Sequence, residues 1–242
     1  MPRVKKAIIM AGGKGTRLAP LTFVTPKPLV KVRGQAMVET TIEALLTNGI
    51  QDIVVVTGHL AEAFADLPRR YPQVKLVHNP DYGRTNNISS LYCVREFLDC
   101  DLMILDGDQL ICAPRVLHAD FDVSGYTCAA TDAQNEWFLQ LDSQQQVQFC
   151  SKQPCFRGQR LYSISRWTKA DAKKLAAHLE EDFNQRGLDQ IYWDDIVLFN
   201  HFTDYQLRGY PINGTEVLEI DNFEQLCQVD PRYRRQDDVR EA

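Results

Sequence analysis

Short apolar runs alternate with amphipathic stretches along the first hundred residues. Lys6–Met10, Asp52–Thr57, Val74–His78 and Leu102–Leu105 are compact runs rich in aliphatic and β-branched residues, which predicts strands. Between them, Val38–Thr47, Ala61–Leu67 and Ser89–Leu98 carry apolar positions at helical spacing. Strand–helix alternation of this kind predicts a parallel sheet with helices on both faces. Ligands of such sheets sit beyond the carboxyl ends of the strands, where the loop Ala11–Thr25 falls. After Asp108 the pattern changes. Gly125–Thr131, Trp137–Leu141, Val147–Phe149 and Leu161–Ser165 are short strand candidates separated by polar turns. Ala172, Leu175, Ala176, Leu179 and Phe183 form one apolar stripe of a helix expected from Lys169 to Arg186. No repeat or low-complexity linker divides the chain. The second half is therefore expected to extend the same sheet and supply an acceptor pocket. The fold class is α/β: a single domain over residues 1–229, with a solvated charged tail over 230–242 in which Arg alternates with Asp and Glu.

Composition narrows the class of function. The chain has 242 residues, enough for one sizeable core, and a net charge of −5. A protein that binds nucleic acid by neutralising phosphates shows a basic face, so no nucleic-acid partner is expected. No apolar run approaches the ~20 residues needed to span a bilayer, and a core strand follows Met1-Pro-Arg-Val-Lys-Lys directly, so neither membrane nor secretory signal is expected. Seven scattered cysteines without a C-x-x-C pair fit free thiols in a reducing cytoplasm.

The densest chemistry lies between Ile8 and Val32. A strand-like run enters a glycine-rich turn, Gly12-Gly13-Lys14-Gly15-Thr16-Arg17-Leu18, and Lys27 follows between two prolines. Glycines let the backbone approach a ligand, and their N–H groups can cradle phosphate oxygens while Arg and Lys supply charge. The pattern is not a Walker loop, since Lys14 directly follows Gly13 and precedes Gly15. Nor is it the dinucleotide fingerprint, whose third small residue is here Leu18. A nucleoside-triphosphate site is the functional reading; a strand-to-helix turn with surface cations is the plain one. Further along, Asp106 and Asp108 lie just past a buried strand, and Glu219-Ile220-Asp221 offers a second acidic pair. Carboxylates so placed suit a hard cation such as Mg²⁺, or serve only as solvated turn acids.

The segment G-G-K-G-T-R-L followed by P-K-P-L resembles the signature of nucleotidyltransferases that activate small phosphates with an NTP. Asn86-Asn87-Ile88-Ser89-Ser90-Leu91-Tyr92, Asn135-Glu136-Trp137-Phe138-Leu139 and Ile191-Tyr192-Trp193-Asp194-Asp195 are similar to segments of bacterial choline-phosphate cytidylyltransferases. The resemblance extends to about residue 228 and implies a Rossmann-like nucleotidyltransferase domain with a mostly parallel mixed sheet.

It also implies transfer of CMP from CTP to phosphocholine, giving CDP-choline and pyrophosphate. On that reading Arg17 and Lys27 are catalytic, and Ala11, Gly12, Gly13, Lys14, Gly15, Thr16 and Asn87 bind nucleotide. Asp108 and Asp221 hold Mg²⁺, with Asp106 as an alternative ligand. Asn87 can both donate and accept, which suits a cytosine edge, whereas Asn86 suits a helix cap. A quaternary ammonium donates no N–H, so aromatic faces with acids nearby must hold it. Trp137, Tyr192 and Trp193 are the candidate rings, and Asp194, Asp195 and Glu219 the candidate counter-charges. Adjacent aromatics rarely share one pocket, which weighs against Trp193, and all three rings could instead be core. The same chemistry on 2-aminoethylphosphonate or phosphoethanolamine is the alternative, since a primary ammonium favours acids over rings. A sugar-1-phosphate enzyme and a non-catalytic nucleotide-binding subunit are further alternatives. A homodimer is compatible with either activity.

Overall fold

The computed structural model describes residues 1–131, 136–153 and 158–234. In chain order its strands are β1 (Lys6–Ala11), β2 (Lys31–Val32), β3 (Gln35–Ala36), β4 (Asp52–Thr57), β5 (Val74–His78), β6 (Leu102–Asp106), β7 (Gln109–Ile111), β8 (Gly125–Ala129), β9 (Phe138–Leu141), β10 (Val147–Ser151), β11 (Gln159–Trp167), β12 (Arg208–Pro211) and β13 (Val217–Glu219). Its α-helices are α1 (Met37–Thr47), α2 (Leu67–Arg70), α3 (Ile88–Tyr92), α4 (Lys169–Leu179), α5 (Trp193–Asp195) and α6 (Phe223–Val229).

All six residues of β1 are buried, as a strand covered on both faces requires. Alternate residues serve opposite cores. Ala7 and Ile9 face Val38, Ile42 and Leu45 of α1, while Ile8 and Met10 join Leu91, Leu102, Trp167 and Trp193. Burying each such aliphatic side chain contributes roughly 1.5–3 kcal/mol. The main sheet runs β10-β9-β11-β6-β1-β4-β5, and β8 bridges β11 to β12. β6, β1, β4 and β5 are parallel. β11 then runs antiparallel to β6, so the second half extends the same sheet with reversed direction. This is a mixed sheet flanked by helices. No described helix is long and apolar enough to cross a membrane.

Register sets the site. Ala11 lies opposite Thr57, Met10 opposite Asp106, and Thr57 opposite His78. The carboxyl ends are therefore level, and the loops leaving β1 and β6 meet at one edge.

Three expected helices differ in detail. Ala61–Leu67 is a 3₁₀ turn (Ala61–Phe64) followed by the short α2, in which Pro68 occupies the first turn. Ser89–Leu98 divides into α3 and a 3₁₀ turn (Arg95–Phe97), yet Leu91, Val94 and Leu98 still face the core. The helix expected to reach Arg186 is α-helical to Leu179 and then widens into a π turn (Glu180–Gln185), with Arg186 N–H donating to Glu181 O at 2.9 Å. At the start of the expected charged tail, Asp230 is buried and accepts from Arg33 N–H at 2.7 Å, and Tyr233 Oη donates to Lys31 O at 2.7 Å. Residues 235–242 of that tail, and Asn135, lie outside the described residues.

Candidate active site

The loop after β1 is shaped by its glycines. Gly15 has φ +60°, and a Cβ built on it would lie 2.8 Å from Lys27 Cβ. Only glycine relieves both constraints. Thr22 Oγ1 donates to Gly15 O (3.0 Å) and His59 Nε2 approaches Thr22 O (2.9 Å), which ties the loop to the start of the next segment. The turn Thr16–Leu18 buries Leu18 and leaves Arg17 exposed. The turn Lys27–Leu29, entered through Pro26, draws the Lys27 side chain inward until it is 8% exposed.

Four charged groups converge there. Lys27 Nζ lies 2.6 Å from Asp108 Oδ2 and 3.3 Å from Asp221 Oδ1, and Arg17 Nη2 lies 2.9 Å from the same Asp221 oxygen. Burial works against the Lys27 charge, but Asp108 and then Asp221 outweigh it and raise its pKa above the ordinary lysine value. Burial, with Asp108 beside it, holds Asp106 well above the usual carboxylate range.

Two chambers meet at this cluster. One, of about 510 Å³, runs along residues 11–18 and takes in Tyr82, Asn86, Asn87 and Ser90. The other, of about 410 Å³, is walled by Glu136, Trp137, Leu161, Ser163, Asp194 and Glu219. Arg17, Lys27, Asn87, Asp106, Asp108, Tyr192 and Asp221 line both. Asn87 Oδ1 accepts from Trp193 N–H at 2.9 Å, so its amide nitrogen is the group left for a ligand. Asn86 is not the helix cap its sequence position suits: α3 is entered through Asn87 without a side-chain cap, and Asn86 instead accepts from Asn87 N–H at 2.7 Å and donates to Gln190 O at 3.2 Å.

Ala11, Gly12, Gly13, Lys14, Gly15 and Thr16 all line the first chamber, and Trp137, Tyr192, Asp194 and Glu219 the second. Trp193 is a correction. Its side chain is wholly buried, stacked on Tyr126 (centroids 6.2 Å, planes 21° apart) and edge-on to Trp167 (6.1 Å), and it lines neither chamber. The chain turns into α5 between Tyr192 and Trp193, so the two rings leave in different directions.

Behind the walls of the second chamber stand groups to which the sequence alone does not point. Arg160 on β11 pairs with Glu219 and with Glu136 (3.0 Å), while Gln109 Nε2 donates to Glu219 Oε1 (2.7 Å). Glu219 is thus already compensated, although burial still raises its pKa. Asp194 differs. It has no ion pair among the described residues, and burial, opposed by the Tyr126 phenol that its carboxylate faces, pushes its pKa up to about 7. Lys152 and Phe199 also stand beside Trp137. Pairing of β10 with β9 brings Lys152 to Trp137, and contact of the separate β7–β13 ribbon with β11 brings Glu219 to Arg160; no local spacing encodes either.

As for metal, Asp108 and Asp221 offer oxygens converging on one point, now filled by the Lys27 ammonium, which is the donor set a hard divalent cation takes. Among the described residues, larger groups of metal-capable side chains occur elsewhere, as at His178, His201 and Asp204. Those two imidazoles stack face to face (3.8 Å, 10°), so their lone pairs run parallel instead of converging.

This site, at the level carboxyl ends of a mixed sheet, is that of a nucleotidyltransferase. A profile of the nucleotidyl transferase family matches residues 6–122. The chain is 36% identical to a 2-aminoethylphosphonate cytidylyltransferase of Lancefieldella rimae, over 94% of this chain and 92% of that one. It is 33% identical to a choline-phosphate cytidylyltransferase of Streptococcus pneumoniae, over 93% and 96%. The solved CTP:phosphocholine cytidylyltransferase of Streptococcus pneumoniae superposes with a TM-score of 0.86 at 32% identity, covering 95% of this chain and 99% of that one. The chain belongs to the nucleotidyl transferase family, as an enzyme of its cytidylyltransferase branch.

Proposed function

We propose that this enzyme transfers CMP from CTP to a small phosphate or phosphonate whose tail carries a primary ammonium, 2-aminoethylphosphonate being the type acceptor. The observation that carries the reaction is the meeting of the two chambers at Lys27, Arg17, Asp108 and Asp221. The first chamber suits the nucleotide, with backbone N–H groups of residues 12–16 facing the phosphates and the Tyr82–Asn87 loop near the base. The second suits the acceptor.

An acceptor oxygen attacks the α-phosphorus, a new P–O bond forms, and the bond to the bridging oxygen breaks to release pyrophosphate. A phosphate or phosphonate acceptor already carries at least one ionised oxygen near neutrality, a phosphomonoester with a second pKa of about 6 being mostly dianionic, so no general base is required. What remains is alignment and charge stabilisation. Lys27 bridges the α-phosphate and the incoming oxygen. Arg17 steadies the departing pyrophosphate, and Lys14, at the loop tip, meets the outer phosphates. Two cations and two carboxylates leave the junction with no net charge, so a triphosphate needs a further positive ion there. Asp108 and Asp221 would hold Mg²⁺, which supplies that charge when bound.

The acceptor's tail follows from Asp194. Asp194 lines the second chamber and, unlike Glu219 with its Arg160 partner, has no ion pair among the described residues, so its carboxylate is the acid a primary ammonium can pair with and donate to. Phosphocholine is the second reading, favoured by Trp137 and Tyr192 on the acceptor wall. The test is pyrophosphate release with Mg²⁺ and CTP, comparing kcat/KM for 2-aminoethylphosphonate and phosphocholine. Preference for the phosphonate supports the Asp194 reading. Preference for phosphocholine transfers recognition to the rings and leaves the transfer chemistry in place.

A further inference from the structure

The aromatic faces beside the acceptor chamber already hold a cation, and it belongs to the chain. Lys152, one residue beyond β10, places its Nζ 4.4 Å from the centroid of the Trp137 ring, 5.0 Å from that of Phe199 and 6.0 Å from that of Tyr192. Trp137 meets Tyr192 and Phe199 edge-on, both at 5.6 Å, so the three rings form walls around a single position. Asp195 completes the box, its Oδ1 lying 2.5 Å from Lys152 Nζ. The other Asp195 oxygen accepts from Tyr192 N–H at 2.9 Å, which fixes the counter-charge to the same turn that carries the ring. Three ring faces and one carboxylate are the environment that recognises an alkylammonium.

We propose that Lys152 is a specificity-determining residue: its ammonium occupies the Trp137–Tyr192–Phe199 box, so that quaternary ammonium acceptors are excluded and a primary ammonium is taken by Asp194 instead. This rests on the acceptor chamber assigned above. Trp137 and Tyr192 face both the box and that chamber, so the tail of an acceptor and the Lys152 ammonium compete for the same rings. A tethered group competes at an effective concentration of roughly millimolar or more, whereas a dissolved acceptor must displace it from solution. A trimethylammonium carries no N–H, so once the box is filled it keeps only the charge attraction of the Asp194 carboxylate and gains no hydrogen bond from it. A primary ammonium loses little, because it can donate to that carboxylate. The one box thus separates the two acceptors by charge already in place.

The experiment compares Lys152→Ala and Lys152→Arg with the unaltered enzyme, measuring kcat/KM for phosphocholine and for 2-aminoethylphosphonate at saturating CTP. The Lys152 side chain is half exposed, so its truncation leaves the core untouched. Lys152→Ala is expected to raise kcat/KM for phosphocholine by about twofold to fivefold, the value of a cation–π contact at a half-exposed site, and to leave that for the phosphonate unchanged, so that the ratio of the two moves by the same factor. Lys152→Arg keeps a cation in the box and is expected to keep the original ratio. A ratio unmoved by Lys152→Ala, or a fall in phosphocholine turnover, overturns the proposal. Tetramethylammonium titrated against tryptophan fluorescence reads the box without any turnover. It should bind the Ala variant about twofold to fivefold more tightly, and equal binding overturns the proposal. Absence of pyrophosphate release with every acceptor would instead defeat the acceptor assignment, and the titration would still decide the role of Lys152.

Discussion

Lys27 Nζ and Asp108 Oδ2 lie 2.6 Å apart at the junction of the two chambers, and the same ammonium reaches Asp221 at 3.3 Å. Lys27 therefore stands where a divalent cation would stand, between the same two carboxylates. Lys27→Met should lower kcat by about 10²–10³, the usual cost of losing one preorganised charge at a developing oxyanion. In the absence of Mg²⁺ it should also destabilise the fold by roughly 1–3 kcal/mol, discounted because both carboxylates are about a third exposed. Adding Mg²⁺ should restore more melting temperature to the variant than to the unaltered enzyme. Equal Mg²⁺ shifts would refute the shared position.

The carboxylates give the converse prediction. Asp108→Asn and Asp221→Asn should each reduce turnover by about 10²-fold at fixed Mg²⁺ and raise the Mg²⁺ concentration needed for half-maximal rate. Chelation should abolish pyrophosphate release in the unaltered enzyme and be reversed by added metal. The two variants should differ in one respect. Asp221 also holds Arg17 at 2.9 Å, so its loss should raise the KM for CTP more than the loss of Asp108 does.

Asp194 sets a pH dependence. In the folded chain burial raises its pKa to about 7 from an ordinary 3.8. The folded state thus holds this proton more tightly than the unfolded state. Its contribution to stability is full below the ordinary value and is lost as pH climbs through about 7. Asp194→Asn should flatten that part of the stability–pH curve, measured by urea denaturation from pH 5 to 8. Binding runs the opposite way. The ionised carboxylate accepts from the ammonium, so the acceptor KM should fall as pH rises through about 7, and Asp194→Asn should abolish that fall.

Much of this was written locally. Asp52–Thr57 and Val74–His78 are strands with the bounds their aliphatic, β-branched runs predict; the first is buried over five of its six residues, and the second, though an edge strand carrying Lys75 and His78, keeps the same residue types. Arg17, Lys27 and the glycine loop were legible because the ligand they suit demands closely spaced glycines and cations. Lys152, Arg160 and Phe199 were not. Their roles depend on which strand or turn lies beside β9 and β13, and a single sequence does not state that pairing. Trp193 was misplaced because residue type does not reveal direction.

Trp193 and Trp137 should therefore separate by experiment. Trp193→Ala removes a ring packed against Tyr126 and Trp167 in the main core and should cost about 3–5 kcal/mol in urea or guanidinium unfolding. Trp137 is only partly buried, so Trp137→Ala should cost less than about half of that and act instead on the acceptor KM. Comparable stability losses for the two would place both rings in the core.

Gly15 and Gly13 offer the sharpest contrast within the loop. Alanine at Gly15 must adopt φ near +60° and bring its Cβ to 2.8 Å from Lys27 Cβ, an atom too near the backbone to swing aside. The left-handed conformation alone costs about 1–2 kcal/mol, and the contact pushes Lys27 away from Asp108. A displacement approaching 1 Å at a positioning residue can cost about 10²-fold in rate, so Gly15→Ala should lower kcat/KM for CTP by about tenfold to a hundredfold. A Cβ at Gly13 would meet nothing within 4 Å, and the backbone there is not left-handed. Gly13→Ala should then leave kcat within about threefold unless a methyl group at that point blocks the phosphates themselves. In that case KM for CTP rises while the melting temperature stays fixed. Steady-state kinetics beside a thermal melt distinguish the two: Gly15→Ala lowers both stability and rate, whereas Gly13→Ala can affect only binding.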